Sequence, residues 1–145
     1  MLSIVKTTAP TLASHLRVAV ARLARQLRQE GAEEDATPSQ LAALATLYHK
    51  APITLGELAA IERVKPPTMT RVVAGLEEKG LVRREHSSED GRVIHVVTTP
   101  AGRTYHERYQ QRRDAWLSRR LGELTKDERE ALRRTAEIFE RWVEQ

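Results

Sequence analysis

The 145-residue chain contains no cysteine. Disulfides, thiolate metal cages, cysteine nucleophiles and thiol redox sensing are therefore excluded. Aromatic residues are scarce, with one Phe, two Trp and three Tyr, so a platform for stacking the bases of single-stranded nucleic acid has little to build with. No apolar run approaches the roughly 20 residues that a membrane span requires. Met1 to Pro10 carries a single charged side chain, Lys6, and no long apolar stretch. It does not read as a secretory signal, and a cytoplasmic location is expected. The five histidines, His15, His49, His86, His95 and His106, form no i, i+4 pair or compact cluster, which argues against a metal site. No resident cofactor is expected.

Hydrophobic residues make up 40% of the chain and charged residues 30%, the balance of an ordinary globular domain, or of one domain plus an oligomerising element. The net charge of +4 is unevenly spread. Residues 1–60 hold 6 Lys and Arg against 5 Asp and Glu, residues 61–120 hold 13 against 8, and residues 121–145 hold 5 against 7. The basic excess sits mid-chain, as expected if that part faces a polyanion.

Period and caps predict the helices. From Thr11 to Glu30, Leu12, Leu16, Val20, Leu23 and Leu27 repeat at three and four residues, with arginines interleaved, predicting a long amphipathic helix. Thr37-Pro38-Ser39-Gln40 starts a second helix whose inner face is Leu41, Leu44, Leu47 and Tyr48. Thr54-Leu55-Gly56-Glu57 starts a short third helix with Leu55, Leu58 and Ala59 inward; both starts are capping boxes. Pro66-Pro67 can stand only in the first turn of a helix. In the helix that follows, Met69, Val72, Val73 and Leu76 form the buried stripe, and Gly80 ends it. Its other side carries Pro67, Thr68, Thr70, Arg71 and Ala74, with Glu only in the last turn. Short hydroxylated side chains with one cation suit the floor of a DNA major groove better than they suit a solvated face.

Leu81 to Glu85 and Arg92 to Thr98 read as two strands around a polar loop ending in Asp90-Gly91, a β-hairpin. Helix, helix, helix, hairpin is the winged helix-turn-helix order. A helix from Pro100 to Leu121 carries Tyr105, Tyr109, Arg112 and Trp116 on one stripe. A last helix opens at the Thr125-Lys126-Asp127-Glu128 box and aligns Leu132, Ala136, Phe139 and Val143. The fold class is thus mainly α with a small β-hairpin wing. Residues 37–99 are expected to form the winged lobe, and residues 1–36 and 100–145 to supply helices whose apolar faces a second copy of the chain would bury.

Leu58-Ala59, Pro66-Pro67-Thr68-Met69-Thr70-Arg71-Val72-Val73, Leu76 to Arg84, the wing motif Asp90-Gly91-Arg92 and Thr98-Thr99-Pro100-Ala101-Gly102 together resemble the multiple-antibiotic-resistance regulator (MarR) family of bacterial winged helix-turn-helix transcription factors. The resemblance implies a homodimer that binds an inverted repeat in double-stranded DNA. The helix from Pro66 to Lys79 would enter the major groove, and Arg92 would reach the flanking minor groove with Asp90 holding it. Lys65 stands where many members carry a capping Ser, so a cap is lost and a phosphate-seeking cation is gained. Arg83 and Arg84 complete the basic set. The resemblance further implies repression relieved by a small aromatic or anionic effector, for which Arg17, Tyr48, His49 and Tyr105 are lining candidates by position. Core tyrosines with satisfied hydroxyls and a surface arginine are the alternative roles of these residues. For Arg92 the alternative is a solvated partner of Asp90 or Glu89.

Two other function classes compete with this reading. Catalysis would rest on Ser88, Asp90 and His86 or His95, on an exposed hairpin with no shell to exclude water; no enzyme is expected. A winged helix devoted to protein interaction lacks cations on its recognition helix and wing, whereas this chain keeps Lys65, Arg71, Arg83, Arg84 and Arg92.

Overall fold

The computed structural model describes residues 8–33 and 35–144; the N-terminal stretch read above against a secretory signal lies, up to residue 7, outside them. The elements run α1 (Ala9–Gly31), α2 (Pro38–Lys50), β1 (Ile53–Thr54), α3 (Leu55–Glu62), α4 (Pro66–Glu78), β2 (Val82–His86), β3 (Ile94–Thr98), α5 (Pro100–Gly122) and α6 (Lys126–Val143). Local chemistry accounts for most helix starts. Thr37 Oγ1 accepts from the Gln40 amide (3.2 Å) while Gln40 Oε1 accepts from the Thr37 amide (3.1 Å). The same reciprocal pair forms at Thr54 and Glu57 and at Thr125 and Glu128, each cap contributing about 1 kcal/mol. The start of α4 has no side-chain cap on Lys65, but the two prolines that follow bring no amide hydrogens to satisfy. Gly80 ends α4 at φ 70°, and Leu81 N donates to Leu76 O at 3.0 Å.

Leu44, Leu47, Leu58, Val73, Leu76 and Val96 are fully buried and join α2, α3, α4 and β3 in one core. The expected stripe of α4 is found, with Met69, Val73 and Leu76 buried and Val72 half-buried. The sheet departs from the expected two-stranded hairpin. It has three antiparallel strands in the order β1-β3-β2, with Ile53 paired to Val96 and Thr54 to His95. A two-residue strand is too short to show alternation, so only its partner reveals it. The hairpin's second strand also begins at Ile94 rather than Arg92, because Asp90 holds the turn: its side chain accepts from Arg92 N (3.0 Å) and its carbonyl from Val93 N (2.9 Å).

The joint between lobe and long helices is made by the Thr-Pro-Ala-Gly segment. Thr99 Oγ1 donates to Gly80 O (2.6 Å) and accepts from Gly102 N (3.0 Å). A Cβ on Gly102 would lie 1.9 Å from Leu81 O, so only glycine lets α5 dock here. Farther along, α5 packs on α1, where Gly31 is buried with a Cβ position 2.6 Å from Arg113 Cγ. Along the expected stripe of α5, Tyr109 is buried, Tyr105 and Trp116 are half-buried, and Arg112 is exposed, reaching Glu33 at 2.7 Å. By contrast α6 buries none of its residues. Its Leu132, Ile138, Trp142 and Val143 are exposed, as are Leu12, Val20 and Leu23 of α1.

The joint yields a paired test. Gly102→Ala will lower stability in urea melts by about 3 kcal/mol, the upper range for forcing atoms into a filled site. Gly122→Ala, with nothing within 4 Å of its Cβ position, will leave stability within about 1 kcal/mol.

Candidate nucleic-acid interface

Burial of one side of α4 decides what the other side presents. Lys65, Pro67, Thr68, Thr70, Arg71 and Ala74 are all exposed. The Thr70 hydroxyl donates to Pro66 O at 2.9 Å, which directs its free lone pair outward. Lys65 and Arg71 make no ion pair among the described residues, so their charges are available to an external anion. This face carries no acid before Glu77.

The wing cations divide into two kinds. Arg84 Nε binds Glu77 Oε1 at 2.8 Å and Arg83 binds Glu85 at 3.3 Å. The Arg84 pair ties strand β2 to the last turn of α4, so this residue also positions the wing against the helix. Arg92 differs. Its Nε touches Asp90 Oδ1 at 3.3 Å, yet its side chain is 93% exposed, leaving most of the guanidinium fork free at the hairpin tip. The tip is braced by His86 Nδ1, 2.7 Å from Gly91 O, and by Ser87 Oγ, which accepts from the amides of Glu89 (3.2 Å) and Asp90 (3.4 Å). His86 and Asp90 are thereby engaged in holding the wing loop.

The four residues expected to line an effector site are not brought together within one chain. Arg17 borders a groove between α1 and α6 with Leu16, Val20, Phe139 and Trp142. Tyr48 stacks at 4.5 Å on His106 and donates to Glu107 Oε1 at 2.9 Å. That hydrogen bond, before burial, raises its pKa above 10.0. His49 meets the rings of Tyr48 and His106 edge-on. Tyr105 faces Asp35 at 3.5 Å; burial, then the Asp35 and Glu33 carboxylates, push its hydroxyl up to about 12. What the residue pattern did not reveal is a cavity of about 250 Å³ between α1, α2 and α5, lined by Leu27, Arg28, Leu41, Tyr109 and Arg113 among others. The Arg113 guanidinium lies 4.8 Å over the Tyr109 ring, and its buried Nε has no partner among the described residues. The i, i+4 spacing of Tyr109 and Arg113 was the available signal; that α1 crosses at Gly31 was not.

His106, also missed, is 2% exposed. Gln110 Nε2 donates to its Nε2 at 3.1 Å, leaving the ring proton on Nδ1. Burial first, then the nearby His49 and Arg113, lower its pKa below 6.5, with Glu107 opposing.

The family model described as "MarR family" matches residues 36–94. The chain is 43% identical over 128 residues to the uncharacterized HTH-type transcriptional regulator ML2140 of Mycobacterium leprae, covering 88% of this chain and 90% of that one. It is 31% identical over 125 residues to the HTH-type transcriptional repressor MdtR of Bacillus subtilis, covering 83% and 81%. A structure of a MepR mutant of Staphylococcus aureus bound to oligodeoxyribonucleotide superposes with a TM-score of 0.69 at 20% identity, over 92% of this chain and 98% of that one. None of the described helices is long and apolar enough to cross a membrane.

The buried imidazole gives a pH dependence with a definite sign. The fold holds His106 neutral, so the unfolded chain binds a proton that the folded chain does not once pH drops below 6.5. Its contribution to stability is complete above pH 6.5 and is lost as pH falls through the lower folded pKa. Melting temperatures measured from pH 8 to 5 should fall on the acid side, and more steeply for the native chain than for His106→Gln. Equal slopes would mean that another group titrates.

Proposed function

This chain belongs to the MarR family of transcriptional regulators, and on that premise we propose that it binds duplex DNA sequence-specifically, as a cytoplasmic homodimer that represses until a small ligand releases it. The observation that carries the DNA reading is the exposed face of α4, without an acid from Lys65 to Leu76 and backed by the buried Met69, Val73 and Leu76. Thr68, Thr70 and Arg71 would meet base edges, Arg71 by a guanidinium fork suited to guanine. Arg92 would enter the narrow minor groove beside the site, where electronegative potential favours a cation. Lys65 would take a phosphate. A structural neighbour of the same fold was solved bound to oligodeoxyribonucleotide.

A second copy of the chain is supported by the apolar faces of α1 and α6, which the monomer leaves open. Two recognition helices related by a twofold axis would read half-sites about 34 to 36 Å apart, one helical turn of DNA. For the effector, the cavity at Arg28, Tyr109 and Arg113 supports a small anion with an aromatic or apolar body. The unpartnered Arg113 Nε would meet the charge, and Leu27 and Leu41 the body. The rival reading, a protein-interaction module, is disfavoured by the unpaired Lys65 and Arg71.

Selection of the purified protein against random duplex DNA will enrich an inverted repeat with centres about one turn apart; failure to enrich any sequence, with the dimer intact, would sink the reading. On that site, Arg71→Ala and Arg92→Ala will each weaken binding by about 10- to 100-fold with the fold unchanged. Lys65→Ala will weaken all duplexes alike and reduce the salt slope by about one. Leu132→Arg, placed on the open face of α6, will shift sedimentation from dimer toward monomer.

A further inference from the structure

Among the described residues, Arg63 is the one non-glycine with positive φ, at φ 54° and ψ 42°. It caps α3, its amide donating to Ala60 O at 3.2 Å, while the Val64 amide donates to Ala59 O at 3.0 Å. This left-handed cap is the conformation glycine adopts without steric cost and an L side chain does not. The chain uses glycine for the equivalent bend at the end of α4, where Gly80 has φ 70°. At the end of α3 it places the longest cation instead.

Nothing within the fold explains the choice. The Arg63 side chain is exposed and makes no hydrogen bond or ion pair among the described residues. It therefore offsets none of the conformational cost through contacts in the lobe. Its position does suggest a partner. The α3–α4 turn joins the two helices of the helix-turn-helix, and Arg63 lies two residues before Lys65 and five before Thr68, which heads the exposed face of α4. In a helix-turn-helix the first helix crosses the phosphate backbone while the second enters the groove, so the turn between them runs along the groove's rim.

We infer that Arg63 is a DNA-backbone contact, its guanidinium held at the α3–α4 turn to engage a phosphate beside the groove that α4 enters. The inference rests on the reading of this lobe as a duplex-DNA binder. A phosphate contact fixes register and orientation without reading sequence, and a guanidinium can take two phosphate oxygens at once. Paired with Lys65, it would grip the backbone on one rim while Arg71 projects to the bases.

The experiment compares Arg63→Gly and Arg63→Lys with the native chain by thermal melting and by titration of random duplex DNA across a salt series. Random duplex needs no knowledge of the operator. Arg63→Gly is expected to keep its Tm or raise it by a few degrees, because glycine relieves the left-handed strain. It should at the same time bind duplex about 5- to 20-fold more weakly, with a salt slope smaller by about one. Arg63→Lys should retain the native salt slope without the gain in Tm. Unchanged affinity and slope in Arg63→Gly would overturn the assignment, and so would a fall in Tm of several degrees, since the side chain would then be structural. Failure of the native chain to bind duplex even at low salt would instead overturn the DNA reading and this inference with it.

Discussion

The burial of Met69, Val73 and Leu76 against Leu44, Leu47, Leu58 and Val96 is the constraint on which the rest of this molecule depends. Each such side chain contributes roughly 1.5 to 3 kcal/mol when removed from water, so rotating α4 by one residue would forfeit several at once. The helix therefore has one orientation, and its far side has one composition to present. Gln40 is packed over Gly75, whose Cβ position lies 2.4 Å from the Gln40 amide nitrogen. Its Oε1 accepts from Lys79 Nζ at 2.9 Å. One side chain thus closes the cap of α2 and holds the end of α4.

Stability and function are drawn from different residues in this arrangement. The lobe is complete in a single chain, with a closed core and a sheet that includes β1. The arm of α1, α5 and α6 is less enclosed: α5 docks through glycines at Leu81 and at α1 and through His106 against α2, while α6 finds no burial of its own. The surface ion pairs add little to either, since exposed pairs contribute about 0 to 1 kcal/mol. What they do accomplish is orientation. Arg84 with Glu77 sets the wing relative to α4, and Asp90 sets the tip on which Arg92 projects. A cavity between α1, α2 and α5 lies where the arm meets the lobe.

Much of this was legible from sequence because it is governed by neighbours three or four residues apart. The capping boxes at Thr37, Thr54 and Thr125, the stop at Gly80, the stripe of α4 and the Asp-Gly-Arg wing all follow from local hydrogen bonding and side-chain period. So did the exposed position of Thr68, Thr70 and Arg71, since a helix with one buried face must turn the other outward, and that of Arg92 at the tip of a polar loop. The family resemblance, carried on the same residues, extended that reading to DNA and dimer.

Contacts between residues far apart in the chain were decided only in three dimensions. Strand β1 exists because Ile53 meets Val96, and nothing in two residues announces a strand. Arg83 and Arg84 look alike beside Arg92 in sequence, yet both are engaged by neighbouring acids while Arg92 stays nearly free. His106 became a buried neutral imidazole because α2 lays Tyr48 and His49 against it, while Tyr105 turns to Asp35 and Arg17 lies beside α6. The left-handed turn at Arg63 depends on where α3 must end for α4 to reach the core. Sequence by itself determined which segments are helices, where most of them start and which face of α2, α3 and α4 is buried, because those are properties of short stretches. Tertiary structure alone decided which charges remain unpaired and which polar groups are enclosed, because both depend on elements that the chain brings together from a distance.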